Sequence, residues 1–219
     1  MNKESISSHL LELRTRLIRI LICLGILSVA GIPFASEIYA FIASPLLDIL
    51  PAGSSMIATQ VTSPFMAPLK LVLFSALLLT MPYLFYELWM FISPGLYKNE
   101  KSFVAPLMIS TIFLFSAGVA FAYLVVLPII FTFFIGVAPE SIQVMTDINQ
   151  YLSFVIKLIF AFGIAFEIPV ATFLLIRTGI VKKESLIKAR PYLIILFFVI
   201  GMLLTPPDIF SQLFLAIPM

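Results

Sequence analysis

The chain has 219 residues, 62% of them hydrophobic and only 11% charged, with 13 basic against 11 acidic side chains and a mean hydropathy of +1.16. That is too little charge to cover a soluble domain of this size, so lipid is the solvent for most of the chain. A single cysteine, Cys23, and a single histidine, His9, exclude a disulfide framework and a multi-histidine metal site, and no phosphate-binding glycine loop is present to support nucleotide hydrolysis.

At the beginning of the chain, basic residues are interleaved with Glu4 and Glu12, and no small-x-small cleavage site follows the first apolar run. This reads as a retained first span, not a secretory signal. Six apolar segments can be marked: residues 17–35, interrupted by Arg19; 69–92, containing Pro82; 104–127, stopped by Pro128; 151–176, carrying Lys157, Glu167 and Pro169; 191–204; and 209–219. A hydrocarbon core of roughly 30 Å takes about 20 helical residues to cross. The first four segments meet that length. The fifth reaches roughly 21 Å, and the sixth, still apolar at Met219, reads as cut short. The expected fold is all-α: a polytopic bundle of six spans, the last two short, forming one integral membrane domain over residues 1–219.

Loop charge orients this bundle. Lys3, Arg14, Arg16 and Arg19 lie at the first span, Lys98 and Lys101 between spans two and three, and Arg177, Lys182, Lys183, Lys188 and Arg190 between four and five. The alternate connections, 36–68, 128–150 and 205–208, hold no basic residue. The positive-inside rule therefore places the amino terminus of this multi-pass chain in the cytoplasm. The connection 36–68 is unusually apolar, with Pro45, Pro51, Gly53, Pro64 and Pro68 among Ile38, Tyr39, Phe41, Ile42, Leu46 and Leu47. Short helices over the outer membrane face are expected there. No internal repeat supports an inverted-repeat transporter.

Glu167 is the clearest anomaly, an ionisable group roughly 15 Å from the cytoplasmic end of its span. It reads either as a protonated structural acid or as a polar feature of a translocation cavity, with Pro169 freeing a backbone carbonyl nearby. Glu12 and Glu100 are the second constellation. The plain reading pairs Glu12 with Arg16 at i,i+4 and Glu100 with a neighbouring lysine; the other brings both carboxylates together as a clamp for guanidinium groups. Pro45, Pro82 and Pro94 shape loops or bend helices, and Asp208 starts a helix after a tight turn. Trp89, Phe91 and Tyr97 suit an interfacial aromatic belt. Met202, Thr205 and Gln212 lie on the short spans, where a glutamine suggests a helix partner.

Five stretches, in order, resemble one family: SHLLELR at 8–14, SPF at 63–65, FISPGLYKNE at 91–100, AFGIAFEIP at 161–169 and LTPPDIFSQ at 204–212. The family is TatC, the multi-span core component of the twin-arginine protein translocase. The resemblance implies a non-enzymatic receptor, without cofactor or metal, for signal peptides carrying paired arginines. Small single-span partners, TatA and TatB, would assemble on it in an oligomeric complex of a bacterial-type inner membrane that exports folded proteins, with energy from the proton gradient or from assembly; no nucleic acid is implied. It also implies that Glu12 and Glu100, with Arg14 beside them, form the twin-arginine contact. Phe91, Pro45, Pro82, Glu167 and Asp208 would be functionally sensitive, and Met202, Thr205 and Gln212 would belong to the partner-binding face. The competing readings are an ion-coupled small-solute transporter with Glu167 as proton carrier, and a structural scaffold with no affinity for paired arginines.

Overall fold

The structure, a computed structural model, describes residues 3–50, 55–92, 104–137, 145–204 and 213. Helix α1 (Lys3–Gly31) passes through a 3-10 turn (Ile32–Phe34) into α2 (Ala35–Leu47), where the first span was expected to end near residue 35. Pro33 sits at the start of the turn, where a missing N–H leaves no bond unmade. After the two-residue strand β1 (Met56–Ile57) comes α3 (Ser63–Ile92), then α4 (Val104–Phe121), a π-helical turn (Ala122–Val126), α5 (Leu127–Val137), β2 (Thr146–Asp147), α6 (Ile148–Ala165), α7 (Ile168–Arg177) and α8 (Lys183–Leu204). Among the described residues, four stretches are long and apolar enough to cross a bilayer: His9–Leu47, Ser63–Ile92, Val104–Val137 and Ile148–Arg177. The expected fifth segment forms the second half of α8, behind Lys183, Lys188 and Arg190.

Two boundaries differ from expectation. Pro128 was expected to stop the third segment, yet helix continues to Val137. The π turn absorbs the proline: the Leu127 N–H reaches back to the Ala122 carbonyl, one residue further than α-helical bonding, just before the residue that has no N–H to give. The fourth segment was read as unbroken, but α6 ends at Ala165 and α7 begins at Ile168 with Pro169 in its first turn.

The chain divides into two compact units, Met1–Ile38 with Pro68–Ile112, and Tyr39–Ala67 with Phe113–Met219. In the first, Gly31 leaves room for Val72, whose methyl lies 3.0 Å from where a Cβ would stand. The buried Trp89 donates its indole N–H to Thr111 at 3.2 Å. Leu21, Ile26 and Val29 are all exposed by more than 60%, as suits a face turned to lipid.

The core of the second unit is built from Ile42 and Leu46 of α2, Leu127 and Ile130 of α5, and Leu152, Val155, Leu158 and Phe162 of α6. Pro45 is buried within α2 and cannot donate to the Phe41 carbonyl four residues back. That carbonyl instead accepts the Tyr123 hydroxyl at 2.5 Å and the Ser44 hydroxyl at 3.0 Å, so a proline on α2 creates the acceptor that fastens the π turn. Tyr151 adds a second tie, donating to the Ile42 carbonyl at 2.9 Å.

A polar clasp closes the loop end of this unit. β1 and β2 pair in parallel, Met56 with Thr146 and Ile57 with Asp147. Asp147 caps α6, one carboxylate oxygen accepting the N–H groups of Asn149 and Gln150 at 2.9 and 3.0 Å. Its other oxygen accepts the Thr59 hydroxyl at 2.5 Å and the Thr59 N–H at 3.1 Å. The Asn149 amide donates to the buried Ser63 hydroxyl. The Thr59 hydroxyl above all, then the backbone N–H groups of Gln150 and Thr59, hold the Asp147 carboxyl below its ordinary range. A group made more acidic by folding adds stability above its unfolded pKa of about 4, and loses it as the pH falls through the lower folded value. The melting temperature of the purified protein should therefore drop below about pH 4. Asp147→Asn should melt lower at neutral pH and show a flatter acid slope; equal acid slopes would exclude Asp147 as the source.

Candidate functional site

On α1, His9, Glu12, Arg16 and Arg19 recur at intervals of three and four, which puts them on one helical face. On α3, Tyr83, Glu87 and Phe91 recur every four residues. The two faces meet within the first unit, running in opposite directions. The His9 ring stacks on Phe91 with centroids 4.2 Å apart and planes 16° from parallel, Arg16 reaches Glu87, and Arg19 and Tyr83 line the same groove.

Arg16 is the centre of this cluster. Its Nη2 and Nε donate to Glu12 Oε1 at 2.7 and 3.1 Å, its Nη1 donates to Glu87 Oε2 at 2.7 Å, and its Nη2 also lies 3.4 Å from the Met90 carbonyl. Glu87 Oε1 accepts the Tyr83 hydroxyl at 2.8 Å and faces Arg19 Nη1 at 3.7 Å. The Glu87 side chain is 3% exposed, that of Arg16 16% and that of Glu12 37%. Two guanidinium groups thus offset two carboxylates. The anion furthest from water has the most donors, as a charge in that position requires. Glu12 Oε2 stands outside the Arg16 contacts, with the His9 ring nitrogen at 3.9 Å. Beside the cluster, Arg19 and Tyr83 share a groove of about 370 Å³ with Ile22, Cys23, Ile26 and Leu27.

The i,i+4 pairing of Glu12 with Arg16 is the plain reading of the sequence, and it is present. Glu100 lies outside the described residues, as do Asp208, Thr205 and Gln212. Arg14 is exposed and stands about 200° round the helix from Glu12. Phe91 finds its partner in His9. Pro82 is half-buried in α3 immediately before Tyr83, and Met202 is exposed on α8. Glu167 occupies the break between α6 and α7. Its N–H donates to the Ile164 carbonyl, its own carbonyl accepts the Ala171 N–H, and its Oε1 is sealed from solvent.

Two polar anchors escaped the sequence reading. Glu87 sits five residues inside the end of an apolar run, and an acid within a span was the signal available. Asp147 stands four residues before the apolar run at 151–176, an acidic side chain near a helix start being the ordinary mark of an N-cap.

The family model for the Sec-independent protein translocase protein TatC matches residues 8–218. The Sec-independent protein translocase protein TatC of Azotobacter chroococcum is 55% identical over 97% of this chain and 83% of its own length. That of Escherichia coli K12 is 50% identical over 99% of this chain and 84% of its own. A crystal structure of the twin-arginine translocase receptor TatC superposes with a TM-score of 0.83 at 36% identity, covering 96% of this chain and 92% of the other. Membrane-length apolar helices, the matched family model and the shared fold agree: the chain belongs to the TatC family of Sec-independent protein translocase proteins.

Proposed function

We propose that this chain is the cargo receptor of a twin-arginine translocase, binding signal peptides through Glu12 and Glu100 at the cytoplasmic face of a single six-span membrane domain. The observation that carries this reading is the seating of Arg16, which shows that Glu12 accepts a guanidinium edge-on through two N–H donors. An arginine pair on a peptide carries the same fork, and lysine does not. Arg14 adds positive charge beside the clamp, and Phe91, stacked on His9, supplies an apolar wall for residues next to the arginines. The hydrophobic part of the peptide then lies along the apolar membrane helices.

In the same reading the fifth span lies within α8, and the sixth begins at Ile209. Met202, Thr205 and Gln212 form the face on which TatA- and TatB-like single-span proteins assemble. Pro45 acts by freeing the Phe41 carbonyl for Tyr123, Pro82 sets the approach to Glu87, and Asp208 starts the last span. Glu167 serves a step after peptide binding, because it sits at a helix break with one oxygen away from solvent. The proton gradient or assembly provides the energy, and no chemical reaction is catalysed.

The test is cross-linking of a synthetic twin-arginine signal peptide to the full-length protein in membrane vesicles, with a Lys-Lys peptide as control. Glu12→Gln and Glu100→Gln should each weaken the twin-arginine signal by about tenfold or more, the worth of a charge-assisted hydrogen bond. Equal capture of both peptides, or undiminished capture by both variants, would refute the receptor role.

A further inference from the structure

Arg16 occupies the carboxylate that the receptor reading assigns to the incoming peptide. From this geometry we infer that Arg16 is an intramolecular placeholder for a peptide guanidinium, and that Glu87 is the positioning residue that retains Arg16 when the peptide displaces it from Glu12. The inference rests on the receptor reading and adds to it a residue that governs how readily Glu12 is released.

The asymmetry of the contacts supports an exchange. Arg16 uses Nη2 and Nε on one oxygen of Glu12 while its Nη1 holds Glu87. Glu12 is 37% exposed and Glu87 3%, so the end of Arg16 on Glu12 is the one that water and a peptide can reach. Glu12 Oε2 is turned away from Arg16 and has only the His9 ring at 3.9 Å among its ion-pair partners in the described residues. A peptide guanidinium can land first on Oε2 and then take Oε1, so that no intermediate leaves Glu12 without a cation. Arg16 remains held throughout by Glu87 and by the Met90 carbonyl. Tyr83 and Arg19 fix the other oxygen of Glu87, which keeps this seat in place while its partner moves. Before exchange, the guanidinium groups of Arg16 and Arg19 balance the carboxylates of Glu12 and Glu87. A single lysine ammonium cannot reproduce the planar fork that Arg16 presents, so the placeholder also raises the threshold for wrong peptides.

The experiment uses full-length protein in membrane vesicles, a synthetic twin-arginine peptide and its Lys-Lys counterpart, with capture normalised to inserted protein. Arg16→Gln should raise twin-arginine capture by about two- to fivefold, the worth of one partly exposed ion pair. Glu87→Gln should lower it by a similar factor, because Arg16 then has only Glu12 as anion. In the Arg16→Gln background, Glu87→Gln should have no further effect. Capture by Arg16→Gln at or below the wild-type level, or independent effects of the two changes, would overturn the placeholder. Should Arg16→Gln fail to insert, Arg16→Lys decides, since an ammonium holds one carboxylate at a time: raised capture supports the exchange and unchanged capture ends it. The receptor reading fails separately, through wild-type capture by Glu12→Gln or equal capture of both peptides. If Glu12→Gln weakens capture while Arg16→Gln leaves it unchanged, only the placeholder falls.

Discussion

Gly118→Ala should lower the stability of the second unit by about 3 kcal/mol, the upper range for forcing an extra methyl group into a packed interior. A Cβ at Gly118 would lie 2.6 Å from the Phe162 carbonyl oxygen and 3.0 Å from the Cβ and Cγ of Phe166. In an open helix the same change would gain about 1 kcal/mol from helix propensity, so contact decides the sign. The obstacle is backbone, and Phe162 is itself fully buried, so α6 would have to move as a body. Gly163 makes the reciprocal approach, its absent Cβ lying 2.6 Å from the Phe115 ring. There the obstacle is the outer edge of a side chain that can pivot. Thermal melting in detergent should therefore rank Gly118→Ala well below Gly163→Ala, with both below the wild type. A Gly118→Ala protein that melts with the wild type would mean that α4 and α6 do not approach each other so closely. This small-residue crossing is how two membrane helices gain packing energy when lipid offers no hydrophobic reward for association.

Much of this fold was legible because apolar run length is a one-dimensional property. Runs near 69–92, 104–127 and 151–176 needed only counting to be read as membrane helices, and α3, α4 and α6 lie on them. What counting missed depends on partners distant in sequence or on local backbone chemistry. Pro128 carries a stop signal, and only the Ala122–Val126 turn explains why the helix ignores it. Pro169 was read as freeing a carbonyl, and just before it Phe166 and Glu167 form a right-handed turn that separates α6 from α7, an interruption that no spacing rule announces. The site divides in the same way. Glu12 and Arg16 are neighbours on one helix, so their pairing follows from i,i+4 geometry. Glu87 is 71 residues from Arg16, and in the sequence it is one acid in an apolar run. Its importance becomes visible only when α1 lies against α3. Likewise the Phe41 carbonyl is an ordinary helical acceptor until Pro45 removes its donor and Tyr123, 82 residues on, replaces it.

Glu87→Ala should destabilise the first unit by about 3 kcal/mol, the lower range for breaking a buried ion pair from one side. Two donors and a further cation converge on this carboxylate, Arg16 at 2.7 Å, the Tyr83 hydroxyl at 2.8 Å and the Arg19 guanidinium at 3.7 Å, and they do not share the loss equally. Arg19 is 58% exposed and can turn to water or lipid headgroups, so Arg19→Ala should cost about 1 kcal/mol or less. Tyr83 can re-aim its hydroxyl. Arg16 is 16% exposed and would keep Glu12 and the Met90 carbonyl on its Nε–Nη2 edge, leaving Nη1 of a desolvated guanidinium without an acceptor. Removing Glu12 instead takes away the more exposed partner of an i,i+4 pair, and Glu12→Ala should cost about 1 kcal/mol or less. Stability and recognition therefore separate on the same cluster: Glu87→Ala should melt early, whereas Glu12→Ala should melt near the wild type and fail in peptide capture. Equal melting of the two variants would mean that Glu87 is no more withdrawn from water than Glu12. Glu87→Gln should fall between, because its amide oxygen can still accept from Arg16 and its NH2 can donate to the Tyr83 hydroxyl, while the charge that balances two arginines is gone.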